Sequence, residues 1–262
     1  MVIPCIDMKI ILIGAGNLAT QLAVALQKKG MTPAYIYSRT RESAEQLSER
    51  LRDVPYSTDI SQVPTHGDLY IFAVEDSPLL DLVSRMPSNR GLWVHTAGSM
   101  DMEVFAPYTA RYGVFYPMQT FSKERETDFD DIPIFVETNH TDDTERLQKL
   151  AGRLSTKVYE ATSEQRKYLH LAAVFACNFS NHLYALCDRI LSEHGLPFET
   201  MLPLIRETAA KVADMPPAQA QTGPAIRYDK NVIDKQMALL SDPTMRQIYD
   251  LMSRSIHETN KH

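Results

Sequence analysis

The chain has 262 residues, which is enough for one large domain or two modest ones with a packed core. Apolar residues make up 44% and charged residues 23%, so a wholly disordered chain is excluded. The net charge is −6, and neither side of residue 162 carries an excess of Lys and Arg, so a nucleic-acid-binding surface is not expected.

Cysteine spacing and hydropathy predict a cytoplasmic protein. Cys177 and Cys187 fall in one predicted helix, about 15 Å apart along its axis, which is too far for a disulfide. The third cysteine is Cys5, and without a CxxC pair a cysteine-based zinc site has no support, so no metal is predicted. No apolar run approaches about 18 residues, so no membrane span is expected. The segment 1–7 lacks the basic region of a signal peptide.

Up to residue 162, short apolar runs alternate with segments of helical spacing. The alternation predicts parallel strand pairing with right-handed crossovers, hence an α/β fold with a doubly wound, mostly parallel Rossmann sheet. The predicted strands are 9–13, 34–38, 69–74, 92–96, 113–118, 133–137 and 157–161, and the main predicted helices are 17–29, 40–52, 76–86 and 142–154.

After residue 162 the pattern becomes wholly helical. A helix starting near Ser163 meets no breaker before Gly195 and Pro197. Further helices are expected at 198–213, 230–240 and 243–258, with an irregular segment at 215–228. We therefore expect two domains, a nucleotide-binding domain at 1–162 and an all-α substrate and dimerisation domain at 163–262.

The first strand runs into the pattern G-x-G-x-x-A at the start of a helix. Gly14 permits a tight turn, Gly16 leaves room for a pyrophosphate, and Ala19 allows close packing of helix on strand. The N–H groups at the start of the helix, from Asn17 and Leu18 onward, would face the phosphates. The alternative is a glycine turn without a ligand.

The end of the second strand favours NADP over NAD. An NAD site usually has an acidic residue here, whereas this chain has Ser38, Arg39, Thr40 and Arg41. Guanidinium and hydroxyl groups would bind a 2′-phosphate, which a carboxylate would repel. Alternatively, Ser38 or Thr40 caps the next helix and the arginines are solvated, and a hydroxyl can also do both.

Two further strand ends should face the crevice in which the cofactor would bind, at the carboxyl ends of the parallel strands. Val74, at the end of one strand, and Ser99, after the next, are candidates for the nicotinamide half of the cofactor. His95 is either a catalyst or a hydrogen-bonded structural residue. Asp76 is most simply an N-terminal helix residue.

In the long helix, an α-helical wheel places Lys167, His170, Asn178 and Asn181 on one face. His170 could transfer a proton near neutral pH, and Asn178 could position a carbonyl or hydroxyl group. The alternative is that Lys167 faces solvent and the asparagines bond neighbouring helices.

Two loops are further candidates for contact with a substrate. The segment from Tyr116 through Gln119 and Thr120 forms either part of the cleft or only a turn. Arg227 pairs with a carboxylate of either a substrate or the protein, and Asp229 is expected to cap the next helix.

Together these segments resemble Rossmann-like NADP oxidoreductase-type proteins with a helical C-terminal domain of unknown function. That family is related to the 6-phosphogluconate dehydrogenase, ketopantoate reductase and pyrroline-5-carboxylate reductase group. The resemblance lies in four segments: Gly14 to Asn17, Tyr116 to Phe121, His170 to Asn178, and Thr222 to Pro224 with Arg227 and Asp229.

The resemblance implies an NADP-dependent oxidoreductase and a homodimer formed through the C-terminal helices, but it implies no substrate. This chain has Tyr116 where the family usually has His, so any chemical role of that His does not transfer. The lysine–asparagine pair of β-hydroxyacid dehydrogenases is also absent, since Leu171 stands four residues after Lys167.

We therefore expect hydride transfer between NADP and a small polar substrate, such as a hydroxy acid, a keto acid or an imine. The alternatives are an NADP-binding sensor or interaction module without turnover, and a scaffold that binds no nucleotide.

Overall fold

The computed structural model describes residues 8–260, so Cys5 and the segment 1–7 lie outside the described residues. The described residues form one eight-stranded sheet with the order β3-β2-β1-β4-β5-β6-β7-β8. Its strands are β1 (Ile10–Ile13), β2 (Tyr35–Tyr37), β3 (Tyr56–Ser57), β4 (Leu69–Phe72), β5 (Leu92–His95), β6 (Tyr112–Pro117), β7 (Ile134–Thr138) and β8 (Val158–Glu160).

The α-helices of the described residues lie between these strands along the chain and after the last of them. They are α1 (Asn17–Lys28), α2 (Arg41–Arg50), α3 (Asp76–Arg85), α4 (Thr141–Leu154), α5 (Ser163–Ala173), α6 (Ser180–Glu193), α7 (Leu202–Asp214), α8 (Pro217–Ala220), α9 (Lys230–Ala238) and α10 (Pro243–Thr259). The predicted fold class, a mostly parallel Rossmann sheet followed by a helical region, is confirmed.

The sheet is buried because its central strands are apolar on both faces. All four residues of β1 and of β4 are buried, as expected for strands covered by helices on either side. Helix α1 packs Ala19, Leu22 and Leu26 into this core. These contacts fix the start of α1 against the carboxyl end of β1.

The sheet departs from parallel pairing at one place, where β7 runs antiparallel to β6. The connection 118–133 contains no helix or strand, and a parallel return usually needs a crossover helix. The short strand β3 was not predicted, because two residues are too few to show a periodicity.

The described chain divides into two compact units, one up to Cys177 and one from Asn178 onward. The first contains the whole sheet and α5, and the second contains α6 to α10. The predicted domain boundary between residues 162 and 163 stays a prediction.

The predicted long helix contains a π-helical segment, Val174–Phe179, between α5 and α6. A π turn adds a residue, which rotates the following positions by about 100° relative to an α-helix. The α-helical wheel that grouped Asn178 and Asn181 with His170 therefore does not hold beyond residue 173. The helix ends as predicted, with Gly195 at a φ of 69°.

The observed caps refine the predicted helix starts. Thr162, rather than Ser163, caps α5, and it forms a capping box with Gln165. Asp229 caps α9 by accepting from the N–H of Val232, as predicted. Among the described residues, no helix is long and apolar enough to span a membrane.

Candidate active site in a crevice at the carboxyl end of the sheet

A crevice of about 580 Å³ opens beside the carboxyl ends of β1, β2, β4, β5 and β6. It lies where the strand order reverses between β1 and β4, the usual ligand position in a doubly wound sheet. All the predicted cofactor-binding residues line it: Gly14, Gly16, Asn17, Leu18, Ser38, Arg39, Val74 and Ser99.

The two glycines of the first turn differ in whether the fold itself requires a glycine at that position. Gly14 has a φ of 125°, and a Cβ there would lie 2.3 Å from the carbonyl oxygen of Ala73. Gly14 also donates its N–H to the carbonyl oxygen of Tyr37 at 2.7 Å. Gly14 is thus required by the protein itself.

Gly16 is not required by the protein in this way. A Cβ at Gly16 would meet no atom within 4 Å, and its φ of −78° suits any residue. Gly16 is the residue preceding α1, and no side chain caps the N-terminus of that helix. The open space and the helix start fit a phosphate group, which would bind N–H donors and the positive end of the helix dipole.

One end of the crevice is polar and basic. Ser38 is buried, and Arg39 and Thr40 are exposed beside it. Thr40 is the residue before α2, but its side chain makes no capping hydrogen bond, so the capping alternative does not hold for Thr40. Lys123, which the sequence did not single out, also lines the crevice.

Lys123 lies in the 118–133 connection, and its backbone is held in place from two sides. Gln21 of α1 donates to the carbonyl oxygens of Ser122 at 2.7 Å and Lys123 at 3.3 Å. Arg50 of α2 donates to the carbonyl oxygen of Lys123 at 3.0 Å. Gln21 is nearly fully buried. The sequence does not show this role, because its hydrogen-bond partners lie about 100 residues further along the chain.

The other end of the crevice is formed by loops after β4, β5 and β6 together with α5. Ser99 donates a short hydrogen bond to the carboxylate of Asp76, which is the first residue of α3. Tyr116 belongs to β6, Gln119 follows that strand, and His170 comes from α5. Thr120 does not line the crevice; its N–H and hydroxyl donate to the side-chain oxygen of Gln119.

His95 has the structural role rather than the catalytic one. It is completely buried, its Nδ1 accepts from the N–H of Ala97 at 3.2 Å, and its Nε2 lies 3.3 Å from the carbonyl oxygen of Asp101. Burial, reinforced by the charge of Arg166, lowers the pKa of His95 to about 4. The ring is therefore neutral near pH 7 and holds the loop that follows β5.

The structure pairs His170 with Tyr116, across 54 positions of sequence. The hydroxyl oxygen of Tyr116 lies 3.2 Å from Nδ1 of His170. Tyr116 is buried, and this burial raises the pKa of its phenol. His170 is exposed and packs against Gly98, where a Cβ would lie only 2.6 Å from Nδ1.

A fully buried arginine, Arg166, ties α5 to the crevice. It donates to Glu137 of β7 at 2.7 Å and to the carbonyl oxygen of Ala97 at 3.2 Å, with a short bond to the carbonyl oxygen of Met100. Glu137 also accepts from the N–H and hydroxyl of Ser163. Because these bonds hold both α5 and the loop after β5, Arg166 sets the position of His170 over Gly98.

Two of the remaining predicted site residues, Asn178 and Arg227, belong to the second unit. Asn178 is its first residue, and Arg227 is exposed in the irregular segment before α9. Lys167 of the first unit is exposed and lies 4.0 Å from the carboxylate of Asp101. The roles of Asn178 and Arg227 remain predictions.

Comparison with protein families matches residues 3–118 to a Rossmann-like domain and residues 132–256 to a domain of unknown function, DUF2520. A crystal structure of BF3122 from Bacteroides fragilis, a provisionally assigned NADP oxidoreductase, is 52% identical. The match covers 96% of this chain and 98% of that one, with a TM-score of 0.90.

Two more distant structures share the fold. A reductive aminase from Aspergillus terreus, in complex with NADPH and ethyl levulinate, is 16% identical over 97% of this chain and 95% of that one, with a TM-score of 0.72. A pyrroline-5-carboxylate reductase from Coxiella burnetii is 16% identical over 97% of both chains, with a TM-score of 0.59. Identities this low show the fold alone.

Among curated proteins, a glutamyl-tRNA reductase from a Synechococcus strain is 33% identical over 87 residues. This match covers 31% of the present chain. It spans 20% of the length of that relative, so it carries no conclusion about the whole enzyme.

Proposed function

The chain belongs to the same family as BF3122, with a Rossmann-like domain followed by a DUF2520 domain, and on that premise we propose that it is an NADP-dependent oxidoreductase. The reaction is hydride transfer between the nicotinamide and a small polar substrate, a hydroxy acid, a keto acid or an imine. One observation carries this proposal: the glycine turn, the basic end of β2 and the Tyr116–His170 pair all line one crevice.

The cofactor would lie along the crevice from its basic end to His170. The pyrophosphate would bind at Gly16 and the first N–H groups of α1, where a side chain would reduce the open space. The 2′-phosphate would meet Ser38, Arg39 and Lys123, since charge-assisted hydrogen bonds favour a phosphate there. Val74 and Ser99 would contact the nicotinamide half.

When bound, NADPH supplies the hydride, and the protein supplies position and a proton. His170 would hydrogen-bond the heteroatom of the substrate and transfer the proton, because it is the imidazole that lines the crevice beside Gly98. Gln119 offers an amide to orient the substrate. Asn178 and Arg227 are proposed to act as a further positioning group and an anion contact.

The experiment is to mix the purified chain with NADPH and a panel of keto acids, ketones and imines, and to follow NADPH oxidation. We expect saturable NADPH binding and oxidation by at least one substrate class. His170→Ala should lower turnover far more than it weakens NADPH binding. Equal losses of both would contradict the role of His170, and binding without any oxidation would favour the NADP-sensing alternative.

We further propose that the chain forms a homodimer through its C-terminal helices. Neither α6 nor α7 contains a buried residue, and Leu204 and Val212 of α7 are 60% and 49% exposed. Exposed apolar helix faces gain stability when a second copy of the chain covers them. The division into a nucleotide-binding region, 1–162, and a substrate and dimerisation region, 163–262, is part of this proposal.

A further inference from the structure

The Tyr116–His170 pair leaves the two ring nitrogens of His170 in different environments. Nδ1 lies 3.2 Å from the hydroxyl of Tyr116 and is backed by Gly98. The two rings meet edge to face, with their centroids 6.4 Å apart. Among the described residues, Nε2 has no hydrogen-bond partner, so it is the nitrogen left for a ligand.

The direction of the hydrogen bond follows from the burial of Tyr116. Burial raises the pKa of its phenol, so the hydroxyl keeps its proton at neutral pH and has to donate it to an acceptor. Nδ1 of His170 is the acceptor at hydrogen-bonding distance. A neutral imidazole that accepts at Nδ1 carries its own proton on Nε2.

We propose that Tyr116 and His170 form a proton relay, in which Tyr116 fixes His170 in the Nε2–H form and later supplies the proton. This inference rests on the proposed function. It narrows the substrate class to compounds that present a lone pair to Nε2–H, such as a carbonyl oxygen or a neutral imine nitrogen. A protonated iminium nitrogen carries an N–H in place of that lone pair and is disfavoured.

In the direction of reduction, the substrate carbon accepts the hydride from NADPH, and the π-electron pair of the double bond moves to the heteroatom. The Nε2–H bond breaks and its proton goes to the heteroatom, while the hydroxyl proton of Tyr116 goes to Nδ1. The products are the reduced substrate, a neutral Nδ1–H imidazole and a phenolate. Burial disfavours this phenolate and the charge of Arg166 offsets that cost only in part, so water returns the proton to Tyr116 before the next turnover.

The test is ¹⁵N NMR of the histidine rings in the full chain without nucleotide, at a pH where His170 is neutral. His170 is assigned among the eight histidines by comparison with His170→Gln. We expect only the Nε2–H form in the wild type and a mixture of the Nε2–H and Nδ1–H forms in Tyr116→Phe. The control Tyr112→Phe removes a hydroxyl on the same strand that bonds Glu103, and should leave His170 unchanged.

Kinetics provide the second arm. Tyr116→Phe should lower kcat with a carbonyl substrate by about 100-fold, the usual scale of acid catalysis, and leave the Kd for NADPH unchanged. An Nδ1–H form in the wild type, no change in Tyr116→Phe, or an unchanged kcat would overturn the relay. A wild-type chain that binds no NADPH would instead overturn the proposed function, because the tautomer is measured without nucleotide.

Discussion

At the residue scale, the glycines of the first turn separate protein packing from ligand binding. Gly14 has a positive φ and no room for a Cβ, whereas Gly16 has an ordinary φ and open space around it. The sequence identifies both residues from their spacing. Only the structure shows that one serves the fold and that the other is free to serve a ligand.

This difference predicts opposite effects of two alanine substitutions. Gly14→Ala should lower the free energy of unfolding by about 1–3 kcal/mol or more, since its Cβ would collide with the carbonyl of Ala73. Gly16→Ala should leave stability nearly unchanged and weaken NADPH binding at least about tenfold. Thermal unfolding and NADPH fluorescence titration measure the two effects, and wild-type affinity in Gly16→Ala would contradict this assignment.

The buried histidine predicts how stability depends on pH. The pKa of His95 is about 4 in the folded chain, against 6.5 as its ordinary value, so the unfolded chain binds the extra proton between these pH values. Stability should therefore fall by up to about 3 kcal/mol as the pH drops through this window. His95→Gln should remove this contribution in denaturant titrations, and an unchanged pH slope in the variant would contradict it.

At the element scale, the connection 118–133 brings Lys123 to the crevice. Because Gln21 and Arg50 hold its backbone, Lys123 can act together with Arg39 of the β2 end. The sequence could not indicate this contact, since the connection has no periodicity and its partners are distant in the chain.

Lys123→Met should therefore weaken NADPH binding by about 10-fold or more, the loss of one charge-assisted contact, and affect NADH much less. Lys29→Met is the matched control, because Lys29 is bonded to Asp130 and does not line the crevice. Parallel fluorescence titrations with NADPH and NADH measure both. An equal loss for the two nucleotides would show that Lys123 does not contact the 2′-phosphate.

Elements that arise from a pattern of neighbouring residues could be predicted from the sequence, whereas features that arise from contacts between distant residues could not. The apolar runs predicted the central strands, and the helical spacing predicted α1 to α4 within a few residues. The π-helical segment, the burial of Arg166 and the contact of Tyr116 with His170 arise from tertiary packing, which a single sequence does not show. In the sequence, Tyr116 stands out only as a departure from its family.

At the scale of the whole molecule, the exposed helix faces of the second unit lead to a prediction about oligomeric state. Light scattering on the full chain should give a dimer mass, and Leu204→Glu should shift it toward the monomer by placing a charge on the apolar face. Arg206→Gln, an exposed site on the same helix, should remain dimeric. A monomeric wild type at micromolar concentration would contradict the proposed dimer.

One crevice is proposed to bind one dinucleotide, from the basic end at Arg39 to the Tyr116–His170 pair. The most direct measurement is a fluorescence titration of the full chain with NADPH and with NADH. We predict saturable binding of NADPH and at least about tenfold weaker binding of NADH, in line with the contacts offered to a 2′-phosphate. No saturable binding of NADPH, or equal affinity for both nucleotides, would contradict the proposed NADP site.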